Sequence, residues 1–364
     1  MNSQSKDTRL KIHLTNITGL GATKLLESLL PSIEMNTNFD TYELYLPCSG
    51  SLSEYQSKNI NSKTFIYKRI LFNPISRFIE CIFSHSKFND GAPILVLGDI
   101  PLKITKGNQV LFLQSPLLVT PWLEIPKLRA LKYIVSKLIF FINHRHVDAF
   151  IVQTSVMKEK LLSVYPIPNH KIHIISQPVP AWIKEDNSYY KKPYKPGSGL
   201  DLIYPAAYYP HKNHALLSKI KSPTKDWPIS SLDLTISSDK NPAPKINWIS
   251  CLGQLNQKAM LKKYYSVDAM MFLSKEESFG FPLIEAMYLN LPIICPDLAF
   301  ARVLCGDEAL YFDPNDIDSL KEQTLLLDEK LQNGWMPNWE IQLQKIPNDW
   351  KEVSERMIAL CIKN

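Results

Sequence analysis

No Cys-x-x-Cys pair occurs anywhere in the 364 residues, and the six cysteines (Cys48, Cys81, Cys251, Cys295, Cys305 and Cys361) are widely scattered. That pattern excludes a zinc knuckle or a disulfide framework and points to reduced thiols in a cytosolic protein. No apolar run is long enough to span a bilayer, since the longest, near 133–142, is interrupted by Lys137. The start, Met1 to Lys11, is polar and runs directly into a strand-like segment, so no signal peptide is expected. RNA- and DNA-binding motifs are absent, which removes nucleic acid from the expected partners. No Ser-His-Asp or Cys-His arrangement signals a covalent nucleophile. What remains is a globular composition, 45% apolar and 21% charged, in a chain long enough for two domains.

The net charge of +6 is unevenly placed: residues 1–180 carry 20 Lys and Arg against 12 Asp and Glu, and the remainder is close to neutral. A basic first half calls for an anionic partner, for which an anionic membrane surface or a phosphorylated acceptor fits.

Short β-branched runs alternate with helical patterns throughout, the signature of βα units on parallel sheets. The first series of strands is expected at 10–17, 42–46, 64–67, 93–97, 110–113, 149–153 and 171–175, and a second at 200–204, 232–236, 248–252, 269–273, 292–295 and 309–312. Between them, residues 179–199 are rich in Pro, Lys and Tyr and lack periodicity. The expected organisation is a first Rossmann-like domain over 1–180, a linker over 181–199, a second such domain over 200–345, and a final helical segment, 346–364. Two first-half helices carry apolar stripes. One, opened by Pro74, has Ile75, Phe78, Ile79, Ile82 and Phe83 on one face. The other has Leu128, Leu131, Val135, Leu138, Ile139 and Ile142, with Lys127, Arg129, Lys132 and Lys137 off the stripe. Such stripes either pack on the domain's own sheet or rest in part on a membrane interface.

The chemistry concentrates in Ala269-Met-Met-Phe-Leu-Ser-Lys-Glu-Glu-Ser-Phe-Gly-Phe-Pro-Leu-Ile-Glu-Ala-Met287. A buried strand ends at Ser274, a short loop follows, and Pro282 marks a first turn of helix. Gly280 permits close backbone approach. The backbone N–H groups from Phe279 to Ile284, with Phe281 and Leu283 between, form an anion site suited to a diphosphate, with Ser278 at its edge. Glu277 precedes that site and Glu285 lies just inside it, so one carboxylate can reach a sugar's hydroxyls while the other reaches a ribose. The blander alternative is that Glu285 complements the helix start and Glu277 is a solvated loop acid.

Glu277-Ser-Phe-Gly-Phe-Pro-Leu-Ile-Glu285 resembles the E-x7-E motif of retaining glycosyltransferases of the GT-B fold, family 4, including those of bacterial surface-polysaccharide assembly. The likeness implies an α/β architecture of two Rossmann-like domains facing across a cleft, with a C-terminal helix crossing back to the first. It implies that Glu277 contacts the donor hexose and Glu285 the ribose. Leu202-Ile-Tyr-Pro-Ala-Ala-Tyr-Tyr-Pro-His-Lys-Asn-His-Ala is similar to the family's phosphate-binding segment, which places Lys212 against the diphosphate. Ala206 and Ala207 stand where glycine and arginine are usual, so one cation is missing, and either Lys212 acts largely alone or His211 or another base compensates. Gly19 and Gly21, after the first strand, would let a loop approach a phosphate or acceptor, or else form an ordinary tight turn. Gln114 occupies the place of a histidine often found near the sugar.

The implied activity is metal-independent transfer of a sugar, with retention, from a nucleotide-sugar donor to a lipid-linked oligosaccharide or polysaccharide acceptor of O-antigen or capsule type. No cofactor is expected, the donor being a substrate. The implied location is cytoplasmic, with peripheral contact at the inner face of the membrane. A sugar-nucleotide epimerase of the same fold and a catalytically silent nucleotide-sugar-binding protein are the alternatives. Asp316-Ile-Asp318 spells a metal-binding D-x-D, but its position after a turn fits helix capping better.

Overall fold

The computed structural model describes residues 9–17, 20–67, 73–83, 86–121, 130–184, 192–221 and 226–362. It divides into two compact units, one formed by Met1–Pro178 with Pro347–Asn364 and the other by Val179–Ile346.

The first unit is built on a seven-stranded, wholly parallel sheet of β1 (Arg9–His13), β2 (Thr41–Leu46), β3 (Ser62–Ile66), β4 (Ile94–Val96), β5 (Gln109–Phe112), β6 (Ala149–Val152) and β7 (Ile172–Ile174), in the order β3-β2-β1-β4-β5-β6-β7. The central strands are continuous buried runs such as Ile-Leu-Val in β4 and Ala-Phe-Ile-Val in β6, as expected of parallel strands covered on both faces. β1 departs from this, because Arg9, Lys11 and His13 alternate along one of its faces. Each has a local partner: Lys11 reaches Asp90 at 2.5 Å, Arg9 reaches Glu43 at 3.2 Å, and the His13 ring meets Glu80 at 2.6 Å.

The last helix, Trp350–Cys361, belongs to this unit. Asp349 caps it through the Glu352 N–H, and Glu352 returns a bond to the Asn348 N–H. At its far end the Asn108 side chain donates to the Leu360 carbonyl at 2.8 Å, and Ser354 donates to Ser32 on the helix Leu20–Glu34.

Only part of the apolar stripe of the helix Ala130–Asn143 meets the sheet. Ile139 is buried, but Val135, Leu138 and Ile142 are exposed, and the inward positions are Lys137, Phe140 and Asn143. Lys137, assigned by the sequence to the stripe's polar flank, is fully buried and donates to the Thr120 carbonyl. The helix Asn73–Ile82 likewise leaves Phe78 and Ile79 exposed, with Phe83 just beyond it. Leu128, Lys127 and Arg129 lie outside the described residues. Among the described residues, no helix is long and apolar enough to cross a membrane.

The second unit repeats the pattern with β8 (Leu200–Tyr204), β9 (Ile229–Leu234), β10 (Ile249–Cys251), β11 (Ala269–Met271), β12 (Ile293–Pro296) and β13 (Leu310–Phe312), all parallel in the order β10-β9-β8-β11-β12-β13. The chain leaves β8 toward β9 on one side, yet β11 returns to pair on the other. The switch point therefore lies between the carboxyl ends of β8 and β11, where open α/β sheets leave a crevice for ligands. The stretch read as a linker is anchored at both ends to this unit: Val179 and Ile183 join its core, and Lys192 pairs with Asp201. Of that stretch, 185–191 lie outside the described residues.

Candidate functional site

Two loops meet at that switch point. After β8 the chain makes a short turn, Pro210–Lys212, closed by Asn213 in the left-handed region (φ 56°). Asparagine tolerates that conformation better than most residues. The turn is held from three sides. Tyr204 hydroxyl donates to the Lys212 carbonyl at 2.6 Å, the Lys275 N–H donates to the His211 carbonyl at 2.7 Å, and the Asn213 side chain donates to the Pro314 carbonyl at 2.9 Å. The loop after β11 is thus bonded directly to the loop after β8, and this brings Lys212 Nζ to within 2.5 Å of Glu277 Oε1. Both side chains keep part of their surface open, 16% for Lys212 and 12% for Glu277, so the pair is partly desolvated yet reachable.

Beyond Glu277 the loop turns at Gly280, whose φ of 99° only glycine adopts without strain, and enters the helix Phe281–Tyr288 with Pro282 in its first turn. Phe279 is buried and packs edge-on against Phe281, ring centres 5.3 Å apart, and Leu283 is fully buried. Ser278 and Pro282 are half-buried at the same corner. The set of free amides is smaller than the sequence reading had it. Leu283 and Ile284 N–H groups both point to the Gly280 carbonyl, at 3.0 and 3.4 Å, and Pro282 has no N–H. The donors left for an anion are those of Phe279, Gly280 and Phe281.

Glu285 lies deeper. Its carboxyl is buried and accepts from the Tyr264 hydroxyl at 2.6 Å, across from the helix Gln257–Ser266. Burial lifts its pKa to about 7 against a partial opposing effect of the Tyr264 hydrogen bond. Tyr264 is a site residue that the sequence reading missed: the pair lies on different helices, 21 positions apart, and no local signal connects them.

His211 stacks on the Tyr209 ring at 5.6 Å. His214, the other histidine of this loop, is buried beside Tyr204 and held neutral, its pKa lowered to about 4 by burial and then by Lys212. Asp316 caps the helix Ile317–Gln332 by accepting from the Asp318 N–H at 2.9 Å.

The remaining candidates lie in the first unit. Gln114 follows β5 and spends its side-chain amide on the Leu97 carbonyl at 3.0 Å. Gly21 sits in the first turn of the helix Leu20–Glu34, where an added Cβ would meet open space, so no close approach requires glycine there. Gly19 lies outside the described residues.

The O-antigen chain mannosyltransferase B of Escherichia coli is 31% identical over 78 residues, which is 21% of this chain; the match spans about a fifth, 20%, of that relative's length. Two solved structures follow nearly the whole chain. The lipopolysaccharide outer core galactosyltransferase WaaB aligns with a TM-score of 0.62 at 12% identity, covering 97% of this chain and 98% of its own. HepE of Anabaena, solved with UDP-glucose, aligns at 0.59 and 10% identity, covering 97% and 96%. With its two parallel Rossmann-like sheets the chain has the GT-B fold, and residues 244–338, Glu277 and Glu285 among them, match the family of glycosyl transferases, group 1.

Proposed function

We propose that this chain is a retaining, metal-independent glycosyltransferase that moves a hexose from a nucleoside-diphosphate sugar to a lipid-linked oligosaccharide or polysaccharide acceptor, in O-antigen or capsule synthesis at the cytoplasmic face of the membrane. The observation that carries the proposal is the 2.5 Å contact of Lys212 with Glu277 at the sheet's switch point, beside the amides of Phe279, Gly280 and Phe281.

In this reading the donor's diphosphate takes Lys212 and those three amides, which bind it more tightly as negative charge grows on the departing oxygen. Glu277, released from the ion pair, accepts hydrogen bonds from the hexose hydroxyls, and Glu285 accepts from the ribose. The acceptor oxygen forms its bond to the anomeric carbon on the face the diphosphate leaves. The carbon–oxygen bond to the diphosphate breaks, and the acceptor's proton passes to a phosphate oxygen. The likeness to an O-antigen mannosyltransferase supports a role in surface-polysaccharide assembly, and the basic first half supports an acceptor on an anionic lipid carrier.

The test is incubation with GDP-mannose, UDP-glucose and UDP-galactose, with and without EDTA. Slow release of nucleoside diphosphate that survives EDTA is expected, and Glu277→Gln should abolish it in a folded protein. Conversion of the sugar without loss of diphosphate would instead mark an epimerase, and tight binding without turnover a silent binding protein. Lys212→Ala should lower turnover by about 10²–10³, the effect of removing one stabiliser of a developing oxyanion. An unchanged rate would mean that another cation serves.

A further inference from the structure

Glu285 is the one acidic side chain of the helix Phe281–Tyr288, whose other buried positions, Leu283, Ile284, Ala286 and Met287, are apolar. A carboxyl in such surroundings holds its proton unless a donor favours the ion. Tyr264, in the core on the helix Gln257–Ser266, supplies that donor: its hydroxyl meets Glu285 Oε2 at 2.6 Å. Burial and the neighbouring carboxyl push the Tyr264 pKa well above its ordinary 10, so the phenol keeps its proton at any working pH. Burial raises the Glu285 pKa and the Tyr264 bond pulls it back, the balance standing at about 7. The bond occupies Oε2 and leaves Oε1, on a residue still 9% exposed, to a ligand.

The elements packed on the helix of Glu285 commit their ionisable groups elsewhere. Cys295 of β12 and Cys305 of the helix Ala299–Cys305 interact with each other, and Arg302 is forked onto Asp297. Glu340, on the helix Glu340–Leu343, accepts from Gln344. On Tyr264's own helix Lys263 pairs with Asp233, and Lys258 and Lys262 are exposed. Among the described residues, the ionisation of Glu285 is therefore set by burial and one hydrogen bond.

We propose that Tyr264 is a positioning residue for nucleotide recognition, its hydroxyl holding Glu285 as a carboxylate whose Oε1 accepts from the ribose hydroxyls of the donor. Without that hydroxyl the carboxyl would keep its proton to higher pH, and a protonated carboxyl makes only the weaker, neutral hydrogen bonds to a diol. Tyr264 acts in this way only if Glu285 meets the ribose as in the proposed function, so the experiment keeps the two apart.

Calorimetric titration of the full chain with GDP and UDP, and with their 2′,3′-dideoxy counterparts, from pH 6 to pH 9 gives the preference for ribose free of the diphosphate's contribution. In the unsubstituted protein the preference should rise with pH about a midpoint of about 7. Tyr264→Phe, which keeps the ring in the core, should move that midpoint up by about one pH unit or more, the worth of a hydrogen bond to a charged group. At pH 7.5 the preference should fall by about threefold or more and return by pH 9, with dideoxy nucleotide binding unchanged. In a Glu285→Gln background Tyr264→Phe should add nothing to the loss of preference. An unmoved midpoint, or an equal loss of ribo and dideoxy binding at every pH, would overturn the proposal and leave Tyr264 a packing residue. A Glu285→Gln variant that keeps the full preference would instead remove the ribose contact itself, and the role of Tyr264 with it.

Discussion

At the carboxyl end of the second unit's sheet, the ribose contact proposed for Glu285 would set ligand binding against stability. Ionised, Glu285 is the better acceptor for a ribose diol, yet burial raises its pKa from an ordinary 4.5 to about 7. Folding therefore disfavours the ionised form that the proposed ribose contact would use. The sign follows directly: the unfolded chain releases this proton first, so the group's contribution to stability is greatest below pH 4.5, falls as pH climbs, and levels above about pH 7. Glu285→Gln removes that dependence. The variant should melt higher than the unsubstituted chain at pH 8, with the gap narrowing toward pH 5, while its affinity for GDP or UDP drops at pH 8. A melting difference that is the same at both pH values would show that the carboxyl is not buried as described. The spacing of Glu277, Glu285 and Lys212 along the chain singled them out in the sequence, and the structure brings Lys212 against Glu277 with Glu285 on the helix that follows. Tyr264 was not singled out, because a hydrogen bond between two helices leaves no trace in either one's periodicity.

Among the elements, the turn at Gly280 matters most to the site. Its φ of 99° is open to glycine and costly for any other residue, and a Cβ there would stand 3.2 Å from Leu304 Cδ1 and 3.3 Å from Leu283 Cδ1. Leucine tips can yield, so the backbone dominates the cost, about 1–3 kcal/mol. Gly280→Ala should lower stability by that amount in urea titration and weaken nucleotide binding, since the same turn aims the amides of Phe279 to Phe281. Full affinity at reduced stability would detach those amides from the anion site.

The strands were readable with little error, because a parallel strand covered on both faces is a short β-branched run bounded by turn residues. Their lengths were overestimated where the chain leaves the sheet: the run read over 10–17 ends as a strand at His13, and by Ile17 the backbone has turned back to bond the Leu14 carbonyl. The facing of the helix Ala130–Asn143 was not readable. Apolar residues occupy most of its circumference, and the buried place of Lys137 depends on a carbonyl, that of Thr120, supplied from elsewhere in the fold.

Across the whole molecule, the chain's far end completes the unit with which it begins. The helix Trp350–Cys361 packs on Leu20–Glu34 and beside β5, and its last carbonyls are taken by Asn108. Its amphipathic pattern was visible in the sequence, while its partner came from family resemblance alone, since periodicity specifies an apolar face and not what covers it. Met357 is fully buried in that contact, and Met357→Ala should cost about 2–5 kcal/mol by leaving a cavity. The loss belongs to the first unit, whose core is a different set of residues from the core built on β8–β13. Amide hydrogen exchange gives the readout: protection should fall in β1, β2 and β5 together with the helix Leu20–Glu34, although these stand more than 200 residues from the substitution in sequence. Protection in β8 to β13 should change far less. Loss of equal size in both sheets would mean that the two units unfold as one cooperative body, and the last helix would then stabilise the whole chain rather than the unit it joins.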